Sequence, residues 1–89
     1  MEKGFNTDIS VEGTRYHVQT EDWGHANPFL VTRIFRDGAV IKSFKTPYRE
    51  ILERAPKFDQ QVIRLAMREQ HERILDRLVS GQLDSARLR

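Results

Sequence analysis

The stretch that decides the fold is Phe5-Asn6-Thr7-Asp8-Ile9-Ser10-Val11-Glu12-Gly13-Thr14-Arg15-Tyr16-His17-Val18-Gln19-Thr20. Phe5, Thr7, Ile9 and Val11 alternate with Asn6, Asp8 and Ser10, and the alternation resumes after Glu12-Gly13. A period of two on both sides of a Gly-containing turn is the pattern of an antiparallel hairpin. With Glu12-Gly13 as a two-residue loop, Ile9 faces Tyr16, Thr7 faces Val18, Asp8 faces His17 and Ser10 faces Arg15. Apolar residues then share one face and charged residues the other. A slip of one residue would destroy that separation, so the pattern specifies the register.

Working outward, Glu21 to Pro28 breaks the alternation, with Gly24 and Asn27-Pro28 as turn signals. A second hairpin follows, Phe29 to Phe35 and Ala39 to Thr46 about Asp37-Gly38. A two-residue loop there pairs Phe35 with Val40, Ile34 with Ile41 and Val31 with Phe44. Both faces come out apolar, one with Phe29, Val31, Phe35, Val40 and Phe44, the other with Leu30, Ile34 and Ile41. The same register sets Arg33 opposite Lys42, an unfavourable like-charge pair, which calls for either a bulge or an acidic partner.

Thr46-Pro47 reads as the cap and first position of a short helix over 47–55, stopped by Pro56. Asp59 caps a long helix ending before Gly81, within 59–80, with Phe58 and Ile63 placed as a hydrophobic staple. Val62, Ile63, Ala66, Met67, Ile74 and Leu78 form its sheet-facing stripe, and Leu65, Leu75 and Val79 a narrower second stripe. Residues 82–89 read as a fraying tail. The expected class is α+β: a single domain over 1–89 with hairpins at 5–46, forming a four-stranded sheet on which the long helix packs.

Composition limits the function. At 89 residues the chain is one domain with a modest core, stable by roughly 4–13 kcal/mol. It has no cysteine, which removes disulfides, thiolate metal sites and Cys nucleophiles. There is no run for a signal peptide or a membrane span, so the expected location is cytoplasmic, with no membrane partner. Fifteen basic against thirteen acidic residues leave a net charge of +2, too little to imply nucleic acid. Eleven of the fifteen are Arg, the residue suited to fixed planar ion pairs.

No nucleophile elbow, phosphate loop or carboxylate pair stands out, and neither enzyme activity nor a cofactor is expected. Three binding surfaces are candidates. Protein contact would use Trp23, His25 and Asn27 of the first long loop with Leu65, Leu75 and Val79; Trp23 reads first as a plug swinging under the sheet, then as a contact anchor. Leu30, Ile34 and Ile41 form a second apolar face that needs cover from the short helix, the C-terminal tail or a second copy, and self-association as a homodimer would use these three residues. Nucleic acid would use Arg33, Arg36, Lys42 and Lys45 as anion contacts, although Glu69, Glu72 and Asp76 on the long helix would repel phosphate. A metal or small enzymatic site would centre on His17, Asp22 and His25, set against ordinary polar loop bonding by Asp22 or Asn27.

The run Tyr16-His17-Val18-Gln19-Thr20-Glu21-Asp22-Trp23-Gly24, followed by Asn27-Pro28, Asp37-Gly38 and Lys45-Thr46-Pro47-Tyr48, resembles a group of small bacterial proteins and domains over about residues 5 to 50. The resemblance implies a bacterial origin and a shared β-rich module, also similar to segments of larger multidomain proteins. It suits an adaptor more than an enzyme and transfers no catalytic residue. The resulting expectation is an interaction or regulatory module acting by protein contact and self-associating.

Overall fold

A computed structural model describes residues 4–55 and 57–83. Strands β1 (Phe5–Val11), β2 (Thr14–Asp22), β3 (Phe29–Arg36) and β4 (Ala39–Pro47) form one antiparallel sheet in the order β1-β2-β3-β4. Helices α1 (Tyr48–Arg54) and α2 (Gln60–Val79) follow. The fold is therefore α+β. Among the described residues no helix is long and apolar enough to cross a membrane.

Both tight turns have the backbone that their sequence asks for. Glu12 and Gly13 take φ of 50° and 84°, and Asp37 and Gly38 take 53° and 80°. Two consecutive positive φ angles define the type I′ turn, whose twist matches that of the flanking strands. The first hairpin has the register expected, with Ile9 opposite Tyr16 and Asp8 opposite His17.

The second hairpin differs. Phe35 pairs with Val40, but Ile34 pairs with Lys42, Arg33 with Ser43 and Thr32 with Phe44. A bulge leaves Ile41 as the extra residue. It shifts the rest of β4 by one position and separates Arg33 from Lys42 along the ladder. It also turns Phe44 to the helix side, where Ile41 and Phe44 both pack against the core.

The helix side holds two apolar clusters. Tyr16, Val18, Ile34, Ile74, Leu78 and Leu83 make one, and Leu30, Tyr48, Ile51, Ile63 and Met67 the other. The expected sheet-facing stripe of α2 holds throughout: Ile63, Met67, Ile74 and Leu78 are buried, and Val62 and Ala66 lie half-buried beside them. Asp59 accepts from the Val62 amide at 2.9 Å, and Gly81 follows the Ser80 cap with φ of 84°.

Three expectations are corrected here. Thr46 does not cap α1; the helix begins at Tyr48, its N-cap is Pro47, and the Thr46 hydroxyl is drawn instead to Gln70 on α2 at 2.6 Å. Leu83 is buried in the first cluster rather than fraying, and the remainder of the expected tail, 84–89, lies outside the described residues. Leu30 and Ile34 are wholly buried within one chain, and Ile41 is half-buried against the same core, so they are not a bare patch awaiting a second copy. The cause is the placement of α2, which covers the side carrying these three residues; among the described residues no helix covers the other side of the sheet.

Candidate functional site

Strand parity lists the open face. β1 contributes Asn6, Asp8 and Ser10, β2 Arg15, His17, Gln19 and Glu21, β3 Phe29, Val31, Arg33 and Phe35, and β4 Val40, Ser43, Lys45 and Pro47. No helix lies over them among the described residues, and yet the side chains cover one another. Glu21 Oε1 accepts from Arg33 Nη2 at 2.6 Å and from Trp23 Nε1 at 3.3 Å. Lys45 Nζ stands 5.1 Å from the Trp23 ring centre and 5.7 Å from that of Phe29. The Arg33 guanidinium lies 5.9 Å over Phe35, whose other neighbour is the His17 ring at 5.7 Å. His17 Nδ1 in turn bonds Asp8 Oδ1 at 2.9 Å.

This strip of alternating rings and charges seals Val31, which is only 1 % exposed although it points away from the helices. It also closes over Arg33 Nε, which is buried without an acceptor. A donor left unbonded weakens the monomer.

The end of the strip is fixed by the loop that follows β2. Asp22 points to the helix side, where its carboxylate accepts from the Tyr48 hydroxyl and, at 3.0 Å, from the Gly24 amide. Tyr48 is packed at 5.0 Å against Phe58 and meets His25 edge-on at 5.7 Å. Burial, and then the Asp22 carboxylate, push its phenol up to about 12. The Trp23 amide bonds the Phe29 carbonyl at 3.0 Å, and the Tyr48 amide the Pro28 carbonyl at 2.9 Å. The loop is thus anchored from below, and Trp23 is held on the open side.

Between the two apolar clusters runs a buried polar line that touches all four strands. The Gln70 amide donates to Thr32 Oγ1 at 2.9 Å, Thr32 and Thr20 hydroxyls meet at 2.7 Å, Thr20 Oγ1 lies 2.8 Å from His71 Nδ1, and His71 Nε2 lies 2.8 Å from Thr7 Oγ1. Thr46 donates to the Gln70 carbonyl from the fourth strand. A neutral His71 with its proton on Nε2 satisfies the line in one direction: Gln70 to Thr32 to Thr20 to His71 Nδ1, and Nε2–H to Thr7. Burial holds the His71 imidazole below its usual value of 6.5. This line ties helix to sheet, and its Thr7–His71 end borders a surface hollow lined also by Phe5, Arg64 and Glu72.

The residues singled out from the sequence fall in several places. Trp23 is a half-buried part of the open face and belongs to neither core cluster, so the reading as a core plug is corrected. His25 and Asn27 are exposed in the adjoining loop. Leu65 and Val79 are each 56 % exposed on α2, while Leu75 packs partly against the first cluster. Arg33 and Lys45 share the open face, but Lys42 pairs with Ile34 on the helix side and extends over Phe44 at 5.7 Å. Arg36 lies half-buried at the turn opposite Ala39. His17 and Asp22 point to opposite faces of β2, so His17, Asp22 and His25 do not converge; among the described residues no three His, Cys, Asp or Glu side chains gather as a metal site would need.

Sequence reasoning missed Glu21 as the hub of the open face and Gln70 and His71 as the hubs of the buried line. The first had a signal: Glu21 shares the parity of His17 and Gln19, the solvent side of the first hairpin. The chain matches no protein-family model, and neither the curated proteins nor the solved structures yield a match.

Proposed function

We propose that the chain is a small bacterial cytoplasmic module that works by protein contact, and that the open sheet face is its contact surface. The observation that carries this reading is the contrast in cover: α2 seals one side of the sheet, while Trp23, Phe29, Phe35 and Val40 remain on the other around Glu21, Arg33 and Lys45. An apolar and aromatic centre with Arg at hand is the composition of an interface core. The strip is also preorganised, since its side chains already hold one another, which lowers the ordering cost of binding.

Nucleic acid is a poorer fit to this face. Arg33 is committed to Glu21, and Lys45 already covers Trp23 and Phe29. Phosphate tracking needs free cations and base stacking needs free ring faces. Asp8 and Glu21 add negative charge to the same surface. Self-association, where it occurs, uses this face and not Leu30, Ile34 and Ile41.

The test is site-specific photo-cross-linking in host cells. A photoreactive residue at Ser43, on the open face, is compared with one at Gln61 and one at Leu65 on the outward side of α2. Protein adducts from Ser43 and few from the helix positions support the reading. Adducts mainly from Leu65 would move the contact to the helix stripe, and salt-dependent retention of oligonucleotide by the purified chain would replace protein by nucleic acid.

A further inference from the structure

We infer that the open face receives a second copy of this chain, the two sheets stacking face to face about a two-fold axis that runs along the strands. The inference rests on the reading of this face as a protein-contact surface and names its partner.

The distribution of charge carries it. The acids of the face, Asp8 and Glu21, lie on the β1–β2 half, and its bases Arg33 and Lys45 on the β3–β4 half. Two charges at the turn end cross this division: Arg15, opposite Ser10, and Asp37 of the second turn, which lines the same hollow as Asp8, His17 and Phe35. An isologous contact lays a patch on its own image. Turning one sheet over about an axis along the strands exchanges left and right while keeping each residue at its height. The acid half of each copy then meets the basic half of the other. A flip about the perpendicular axis would set acid on acid and base on base, which is repulsive.

The rows agree with this choice. Glu21, Val31 and Lys45 form one cross-strand row, so the flip brings Glu21 of one copy within about a strand's width of Lys45 of the other, twice per dimer. Trp23 and Phe29, joined by a backbone hydrogen bond at one end of the face, land on the same pair of rings. His17 and Phe35 do likewise in their row. Two antiparallel sheets stacked with strands nearly aligned is an ordinary packing. The face spans about 20 by 25 Å, which is about 500 Å² from each copy and about 1,000 Å² in all. That is the lower bound for a specific interface, so the dimer forms in a concentration-dependent way.

Sedimentation velocity of the full chain over a range of concentrations tests this, with far-ultraviolet circular dichroism confirming that each variant keeps the fold. The expected result is a monomer–dimer equilibrium. Glu21→Lys and Lys45→Glu each weaken it about tenfold or more by setting like charges together. Mixing the two variants in equal amounts restores it, because each reversed residue then meets its complement. Val40→Asp, which touches no ion pair, abolishes it. A folded chain that stays monomeric throughout, with Ser43 adducts to other proteins retained, overturns the second copy and leaves the contact-surface reading standing. Dimers that survive all three substitutions place the interface elsewhere and overturn the inference, as does a mixture that fails to re-form the dimer.

Discussion

The two faces of this sheet solve the same problem in opposite ways. On the helix side, polar groups are placed in the interior and each is given a partner: Gln70 and His71 descend from α2 into a row of threonines between two apolar clusters. On the open side, an apolar residue is placed outside and given a cover: Val31 is sealed by charged and aromatic neighbours. The lesson is that burial here does not follow the helix layer alone. Long charged side chains such as Arg33 and Lys45 cover apolar surface with their stems and keep part of their charge in contact with rings. A face can therefore be closed against water and still remain available to a partner, because its cover is made of groups that keep much of their hydration.

If that contrast is right, truncation should separate the two faces most sharply at full burial. Leu30→Ala removes a wholly buried side chain from the cluster with Tyr48, Ile51, Ile63 and Met67. It should cost about 2–5 kcal/mol, read as a lowered denaturant midpoint with an unchanged slope. Val40→Ala, at 47 % exposure on the other face, should stay within about 0.5 kcal/mol under dilute conditions where the chain is monomeric. Comparable losses at the two positions would mean that the open face belongs to the core of the monomer.

This contrast was only partly legible in the sequence. The first hairpin could be read residue by residue because Asp8 and His17 on one side and Ile9 and Tyr16 on the other leave a single register. The second could not, because Leu30 and Val31, or Phe35 and Ile34, are apolar on both sides, and parity then gives no penalty for a slip. The like-charge clash of Arg33 and Lys42 did mark where the simple ladder fails, and the bulge at Ile41 is its resolution. The apolar face of the first hairpin, with Ile9, Tyr16 and Val18, marked the side that the helix takes, but which face of the second hairpin continues it depends on the pairing of β2 with β3, which the pattern does not give. The buried line was hidden for a different reason. Thr7, Thr20, Thr32 and Thr46 look like ordinary strand residues, and Gln70 and His71 interrupt an apolar stripe without a motif. Their partners lie 24 to 64 residues away in the chain.

That line gives the next sharpest division. Gln70→Ala strips Thr32 of its donor and Thr46 of its acceptor in a buried setting, and should cost about 1–3 kcal/mol. His71 adds a pH dependence whose sign follows from its lowered value. The unfolded chain takes up a proton near 6.5 while the folded one resists, so stability is full above that pH and is lost as pH falls below it. A protonated ring donates from both nitrogens, which reverses the Thr20 bond and leaves the Thr32 hydrogen without an acceptor along the line. Denaturant midpoints measured from neutral pH down to mild acid should fall for the native chain and fall less for His71→Gln. Equal slopes for the two would detach the acid sensitivity from this ring.

A small effect is also expected at Glu21, and its size matters because of what should accompany it. Glu21 is a hub, bonded to Arg33 at 2.6 Å and to the Trp23 indole at 3.3 Å, but its side chain and that of Arg33 are 40 % and 31 % exposed. Water screens such a pair, and Glu21→Gln keeps an oxygen able to accept both bonds. The monomer should lose less than about 1 kcal/mol, measured by denaturant titration at low concentration. Association should weaken far more visibly, because removing the charge leaves Lys45 of the other copy without its complement. A variant that unfolds markedly earlier while dimerising as before would reverse the assignment and make the open strip a part of the fold's own stability. A variant that folds as before but associates less is the signature of a surface kept for contact, since only the bound state then uses the charge that the monomer could do without.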